Sequence, residues 1–345
     1  MKITRLSALA ILVAVVVTVL VLAQKLLIPL VVAMGVWFLV NAIANGIGMV
    51  PRVGSKISVG LRKAVASTMI LGFIWISVEI IISSVNSMVA QAPVYQTKLN
   101  GYIQELLGYF GQDQLPSLSE FLQGVDLQPM ISGLGGTISA FAGDFFLVIL
   151  YTVFLLLEQG TFSNKWRAMF ASDERHRMSS ATLDRVSASI REYALVKTGT
   201  NLATALLCLF VMLGAGQDFA LFWAFLIFLL NFIPTFGSIV AVCMPTMFAF
   251  LQFEGWGTAG IVLLGICLAH DVIGYMVEPR LMGRTLNISP LVILISLSIW
   301  GMIWGVIGMI LAVPIMVSLM IILGAIPYTR PVAVWLSADG LQSEA

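Results

Sequence analysis

Charge is what this sequence has least of. Asp, Glu, Lys and Arg make up 10% of its 345 residues, while 59% are hydrophobic; an average soluble domain carries roughly 25% charge. So few charges cannot cover a water-facing surface, which excludes an ordinary soluble protein. A formal net charge of +1 gives no footprint for nucleic acid. Cysteine is also scarce: Cys208, Cys243 and Cys267 each stand alone inside an apolar segment, so no disulfide framework or metal-ligand spacing exists. There are two histidines, and His176 sits in the polar run DERHRM, where it reads as solvated. No G-x-x-x-x-G-K-[ST] loop occurs, which argues against ATP use. Neither H-E-x-x-H nor a G-x-S-x-G elbow occurs, so no hydrolytic enzyme is indicated and no cofactor is implied.

Long apolar runs are what remains, and they define an all-α polytopic membrane protein. About 20 apolar residues cross a bilayer as a helix. Five stretches fit: Leu6–Ala23, Leu26–Gly48, Ala64–Val85, Ile138–Leu157 and Thr198–Leu213. A sixth, Ala259–Val277, is interrupted only by His270 and Asp271. Lys2 and Arg5 ahead of the first run resemble a secretory signal, but the apolar core is nearer a full span than the roughly 7–15 residues of a signal core. The first run is therefore read as an uncleaved helix.

Two stretches, Phe219–Phe253 and Leu291–Ile326, are too long for one span, and each is interrupted near its middle. The first holds Asn231, Pro234, Thr235, Gly237 and Ser238; the second places Gly301, Gly305 and Gly308 around two tryptophans. Both read as broken, re-entrant hairpins, with six full spans beside them. Sixteen of the eighteen basic residues then share one side with both termini, and only Lys25 and Lys98 lie opposite. That satisfies the positive-inside bias, with the basic side cytoplasmic.

This topology divides the chain into three N-terminal spans (1–85), an extracytoplasmic segment (86–137), a fourth span (138–157), a cytoplasmic amphipathic segment (158–197), a C-terminal core with both hairpins (198–326) and a tail (327–345). In the extracytoplasmic segment Leu99, Tyr102, Ile103, Leu106, Leu107 and Phe110 recur at helical spacing. That face suits the membrane surface, a second subunit in a homo-oligomer, or the protein's own bundle. Leu183, Val186 and Ile190 form a shorter stripe among arginines, fitting a helix at the lipid headgroups.

Irregular backbone at membrane depth survives only where protein or water satisfies it. Oppositely oriented broken segments meeting near mid-membrane are a substrate-site geometry of secondary transporters. The competing reading is a packed bundle of kinked helices. Glu79 and Asp144 sit at similar depth on consecutive spans, where they could share a proton or hold a cation; equally, each could face water. His270 and Asp271 are adjacent, so they point in different directions around one helix, and one of them is a candidate to line a pathway.

From Tyr193 onward the sequence resembles the autoinducer-2 exporter family of bacterial membrane transporters. The resemblance rests on YALVKT at Tyr193–Thr198, NFIPTFGS at Asn231–Ser238, EPRLMGRTLNISPL at Glu278–Leu291, and SLSIWGMIWGVIGMILAVP at 296–314. It implies an inner-membrane permease that exports autoinducer-2, a quorum-sensing signal, or exchanges sodium for protons. It carries over Lys197, Asn231, Pro234, Gly237, Ser238, Glu278, Pro279, Gly283 and Pro290, whereas Glu79 and Asp144 match no motif. Glu278 with Arg280 and Arg284 could form a charge cluster at the cytoplasmic mouth of the second hairpin, or anchor its loop. The expected partners are lipid and a small polar solute or monovalent cation; a non-transporting scaffold is the alternative of another class.

Overall fold

The computed structural model describes residues 2–50, 56–110, 127–170, 172–253, 255–282 and 287–340. Some side chains on its helices, Asp144, Leu106, Leu107 and Phe110 among them, lie outside that description. Every regular element among the described residues is helical: α1 Lys2–Leu22, α2 Gln24–Met49, α3 Val59–Phe110, α4 Leu127–Ala168, α5 Asp173–Ala215, α6 Ala220–Leu230, α7 Phe236–Gln252, α8 Trp256–Asp271, a π-helical stretch Val272–Val277, α9 Glu278–Met282, α10 Pro290–Ala325 and α11 Arg330–Leu336. Among the described residues, six helical segments are long and apolar enough to cross a membrane, and α6 and α7 are shorter apolar helices. Many large apolar side chains are exposed, such as Trp75, Phe146, Phe210, Ile261 and Leu264. That surface suits lipid rather than water.

The polar stretch after the third span does not interrupt its helix. α3 is 52 residues long, or about 78 Å at 1.5 Å per residue. Ile81, Val85, Met88, Ala92 and Tyr95 are buried along it. Their alternating spacing of four and three residues keeps one narrow seam facing inward.

Packing sorts the chain into two compact units: Met1–Ile70, Phe145–Gly199 and Val277–Ala345 form one, Leu71–Asp144 and Thr200–Met276 the other. In the first, α10 packs against α1, α2 and α11. Tyr193, Ile288, Val313, Val317, Met320 and Ala333 form its main core. The chain after α11 is tied to the loop before α10. Asn287 Oδ1 accepts from the backbone N–H groups of Ala338 and Asp339, each at 3.2 Å, and Nδ2 donates to the Gly340 carbonyl at 2.9 Å.

In the second unit α7 packs on both α6 and α8, around a core that includes Ile81, Val85, Met212, Trp223, Ile227, Val262 and Ile266. Here the long segment 219–253 doubles back. Gln252 Nε2 donates to the Gly216 carbonyl at 2.9 Å, and its Oε1 accepts from the Asp218 N–H at 2.7 Å. The residue that closes α7 thus sits on the residues that precede α6. At 11 residues, α6 is about 16 Å long, roughly half the 30 Å hydrocarbon core.

The segment 290–325 also doubles back, although by length it passes for one span. Gly305 has φ 61° and ψ −142° inside it, a conformation essentially reserved for glycine. Across that break Ser296 Oγ donates to the Ala312 carbonyl at 3.4 Å. On a straight helix these residues would stand about 24 Å apart. The segment is two antiparallel limbs, 290–304 and 306–325.

Candidate functional site

The turn of the first hairpin is held together by backbone rather than by a loop. Ile233 N–H donates to the Leu230 carbonyl at 2.9 Å, and Gly237 N–H to that of Ile233 at 3.1 Å. Thr235 takes φ 60° and ψ −61°, a costly conformation for a β-branched residue. Pro234 precedes it, with no N–H to donate. The limbs meet so closely that a Cβ at Gly237 would overlap the Leu230 carbonyl oxygen. Glycine is therefore dictated there by space.

Polar groups from three elements converge on this turn. Asn231, 5% exposed, closes α6. His270, half-buried on α8, places Nε2 3.2 Å from Asn231 Oδ1 and Nδ1 3.0 Å from the Ile266 carbonyl. Asn201, buried on α5, donates Nδ2–H to the Phe228 carbonyl at 3.3 Å. A carbonyl only accepts, so Nδ1 carries the proton. In neutral His270, Nε2 is then an acceptor and needs the Asn231 NH2; in the imidazolium it donates to Oδ1. Gaining a proton reverses the polarity of this bond, which gives the site a way to sense a proton or to offer a solute donors or acceptors in turn.

The other residues of the first segment are less engaged: Pro234 and Ser238 are half-buried and Thr235 is exposed. Asp271 is exposed, about 100° around α8 from His270, and Glu79 is exposed on α3; the Asp144 side chain lies outside the described residues. Among the described residues no group of three metal-ligating side chains converges.

In the first unit, the second hairpin uses its glycines in distinct ways. Gly305 makes the reversal. A Cβ at Gly308 would overlap the Trp300 carbonyl oxygen, whereas one at Gly301 would meet only the flexible end of Met309. Trp304 Nε1 donates to the Leu20 carbonyl of α1 at 3.0 Å, which fastens the turn. Glu278 pairs with Lys197, Nζ to Oε1 2.7 Å, a contact the sequence did not suggest. Pro279 and Arg280 are exposed, and Gly283 and Arg284 lie outside the described residues. Pro290 is exposed at the first turn of α10, where its missing N–H costs nothing.

Sequence reasoning missed Asn201 and did not anticipate the His270–Asn231 contact. An Asn inside an apolar run such as Thr198–Leu213 is a readable signal, because an amide in hydrocarbon needs a partner. The identity of that partner is not readable.

The profile of the AI-2E family transporter matches residues 9–328. The chain belongs to the AI-2E transporter family. It is 28% identical over 285 residues to the AI-2 transport protein TqsA of Escherichia coli K12, covering 81% of this chain and 80% of that one. It is likewise 28% identical over 252 residues to "Putative transport protein YhhT" of the same strain, covering 70% of each. A transport protein of Haemophilus influenzae, similarly titled, matches at 28% over 237 residues, 65% of this chain and 66% of its own. This AI-2E family member is a multi-span membrane transporter.

Proposed function

We propose that the protein exports a small polar signal of the autoinducer-2 type across the bacterial inner membrane, without ATP. The observation that carries this is the half-buried Asn231–His270 contact at the turn of a broken apolar hairpin. Such a turn offers a hydroxylated solute both donors and acceptors where lipid offers none. The name of TqsA, at 28% identity, supports the same substrate class. The distribution of basic residues favours cytoplasmic termini, with the first hairpin entering from outside and the second from inside. Residues 198–326 then form the transport core, with Lys197, Glu278, Pro279, Arg280, Gly283, Arg284 and Pro290 at the cytoplasmic mouth.

A second reading, sodium/proton antiport, is favoured by His270, a titratable group in contact with Asn231 at the turn. The two separate in liposomes of purified protein under an imposed proton gradient. Export predicts saturable flux of labelled autoinducer-2 that Asn231→Ala abolishes. Antiport predicts that sodium alone collapses the gradient and that His270→Ala stops the collapse. Solute flux unaffected by Asn231→Ala removes the hairpin turn from the pathway.

A further inference from the structure

At the open end of the first hairpin, opposite its turn, three fully buried polar atoms have no hydrogen-bond partner: Gln217 Oε1, Trp223 Nε1 and Thr246 Oγ1. Each of these residues is 5% exposed. All three residues lie toward this end of the hairpin. Gln217 Nε2 donates to the Pro245 carbonyl at 2.8 Å, next to Thr246, and the Trp223 ring lies 5.3 Å from that of Phe248. Pro245 adds to the deficit, because a proline inside α7 cannot donate to the Ala241 carbonyl. Burying unpaired donors and acceptors is costly, and another state of the protein that exposes them would relieve that cost.

The surroundings form a fastening. Besides the Gln252 bonds, three α3 side chains hold the hairpin's ends: Tyr95 donates to Asp218 Oδ2 at 3.0 Å, Lys98 to the Gln252 carbonyl at 2.7 Å, and Tyr102 to the Phe253 carbonyl at 3.2 Å. Tyr95 also packs its ring 4.9 Å from Phe248.

We infer that the open end of this hairpin is a gate of the transport pathway, shut in this conformation, and that opening it presents Gln217, Trp223 and Thr246 to the hydroxyl groups of a passing solute. The inference rests on the proposal that the cargo is a small hydroxylated molecule. It makes Thr246 and Trp223 affinity determinants far from the Asn231 turn.

The test measures binding of autoinducer-2 and of xylitol to the purified full-length protein by calorimetry. Wild type, Thr246→Ser and Thr246→Val are compared, each with its thermal midpoint. Beside this, Thr246→Cys, in a background lacking the native cysteines, is probed in liposomes with a membrane-impermeant thiol reagent. The expected result is unchanged affinity in Thr246→Ser and about 3- to 10-fold weaker binding in Thr246→Val, with Thr246→Cys modified only while a solute gradient drives turnover. Unchanged affinity in Thr246→Val with a raised thermal midpoint marks a dry structural defect and overturns the gate, leaving the export reading intact. If wild type neither binds nor moves either solute, the export reading fails; the gate then stands only if a sodium or proton gradient exposes Thr246→Cys, and falls if it stays unmodified.

Discussion

Lys197 and Glu278, 81 residues apart in the sequence, meet at 2.7 Å between Nζ and Oε1, with side chains only 11% and 22% exposed. Removing one partner of a buried pair costs about 3–5 kcal/mol, because the other charge stays behind. Glu278→Gln should therefore lower the thermal midpoint sharply. Lys197→Met combined with Glu278→Gln should be more stable than Glu278→Gln alone. Thermal unfolding of wild type, Lys197→Met, Glu278→Gln and the double variant in detergent checks this, and additive losses would show that the pair does not couple.

The Asn231–His270 bond predicts a split between affinity and proton sensing. Asn231→Ala removes the amide that the half-buried His270 Nε2 faces, a loss of about 1–3 kcal/mol, and should cut solute flux by at least tenfold. His270→Gln keeps a hydrogen-bonding group on Asn231, so flux should persist. Its variation between pH 5 and 8, where imidazole is the usual side chain to change charge, should flatten. Flux assays across that range in liposomes decide it.

The glycines should not respond alike to alanine. Gly237→Ala and Gly308→Ala each drive a methyl into a backbone carbonyl, and overpacking of that kind costs about 1–3 kcal/mol or more. Gly305→Ala faces backbone strain of about 1–3 kcal/mol, with open space around it. Gly301→Ala asks only the end of Met309 to move and should be mild. Gly199→Ala, in an exposed helical position with nothing nearby, should stabilise by about 0.5–1 kcal/mol. The ranking of thermal midpoints is the measurement.

Because both broken segments double back, the flanks of each should label from the same face of the membrane. Gly216→Cys and Phe253→Cys should form one such pair, and Ser289→Cys and Tyr328→Cys the other. Impermeant thiol reagents applied to right-side-out and inverted vesicles give the answer. Flanks on opposite faces would contradict the hairpin topology.

Much of this was legible in the sequence for a simple reason. A break in an apolar run, such as Pro234 with Gly237 or the Gly301–Gly308 series, has a local cause, and local causes can be read residue by residue. Partners cannot. Nothing local assigns His270 to Asn231 or Glu278 to Lys197, since both contacts close long loops. Arg280 and Arg284 are near Glu278 in the sequence, whereas the lysine that pairs with it comes from a distant helix. The unbroken run of α3 through 86–110 was also hidden, because polar composition ends a span without ending a helix.

Asn287 gives the far end of the described chain a practical meaning. Three bonds from this one amide carry residues 338–340 back to the loop ahead of the second hairpin. A reporter or affinity handle appended behind them would tug on that loop directly. Handles placed at the opposite terminus are the safer choice for transport assays, and a flux that depends on which end carries the tag would be the first sign that the tether matters.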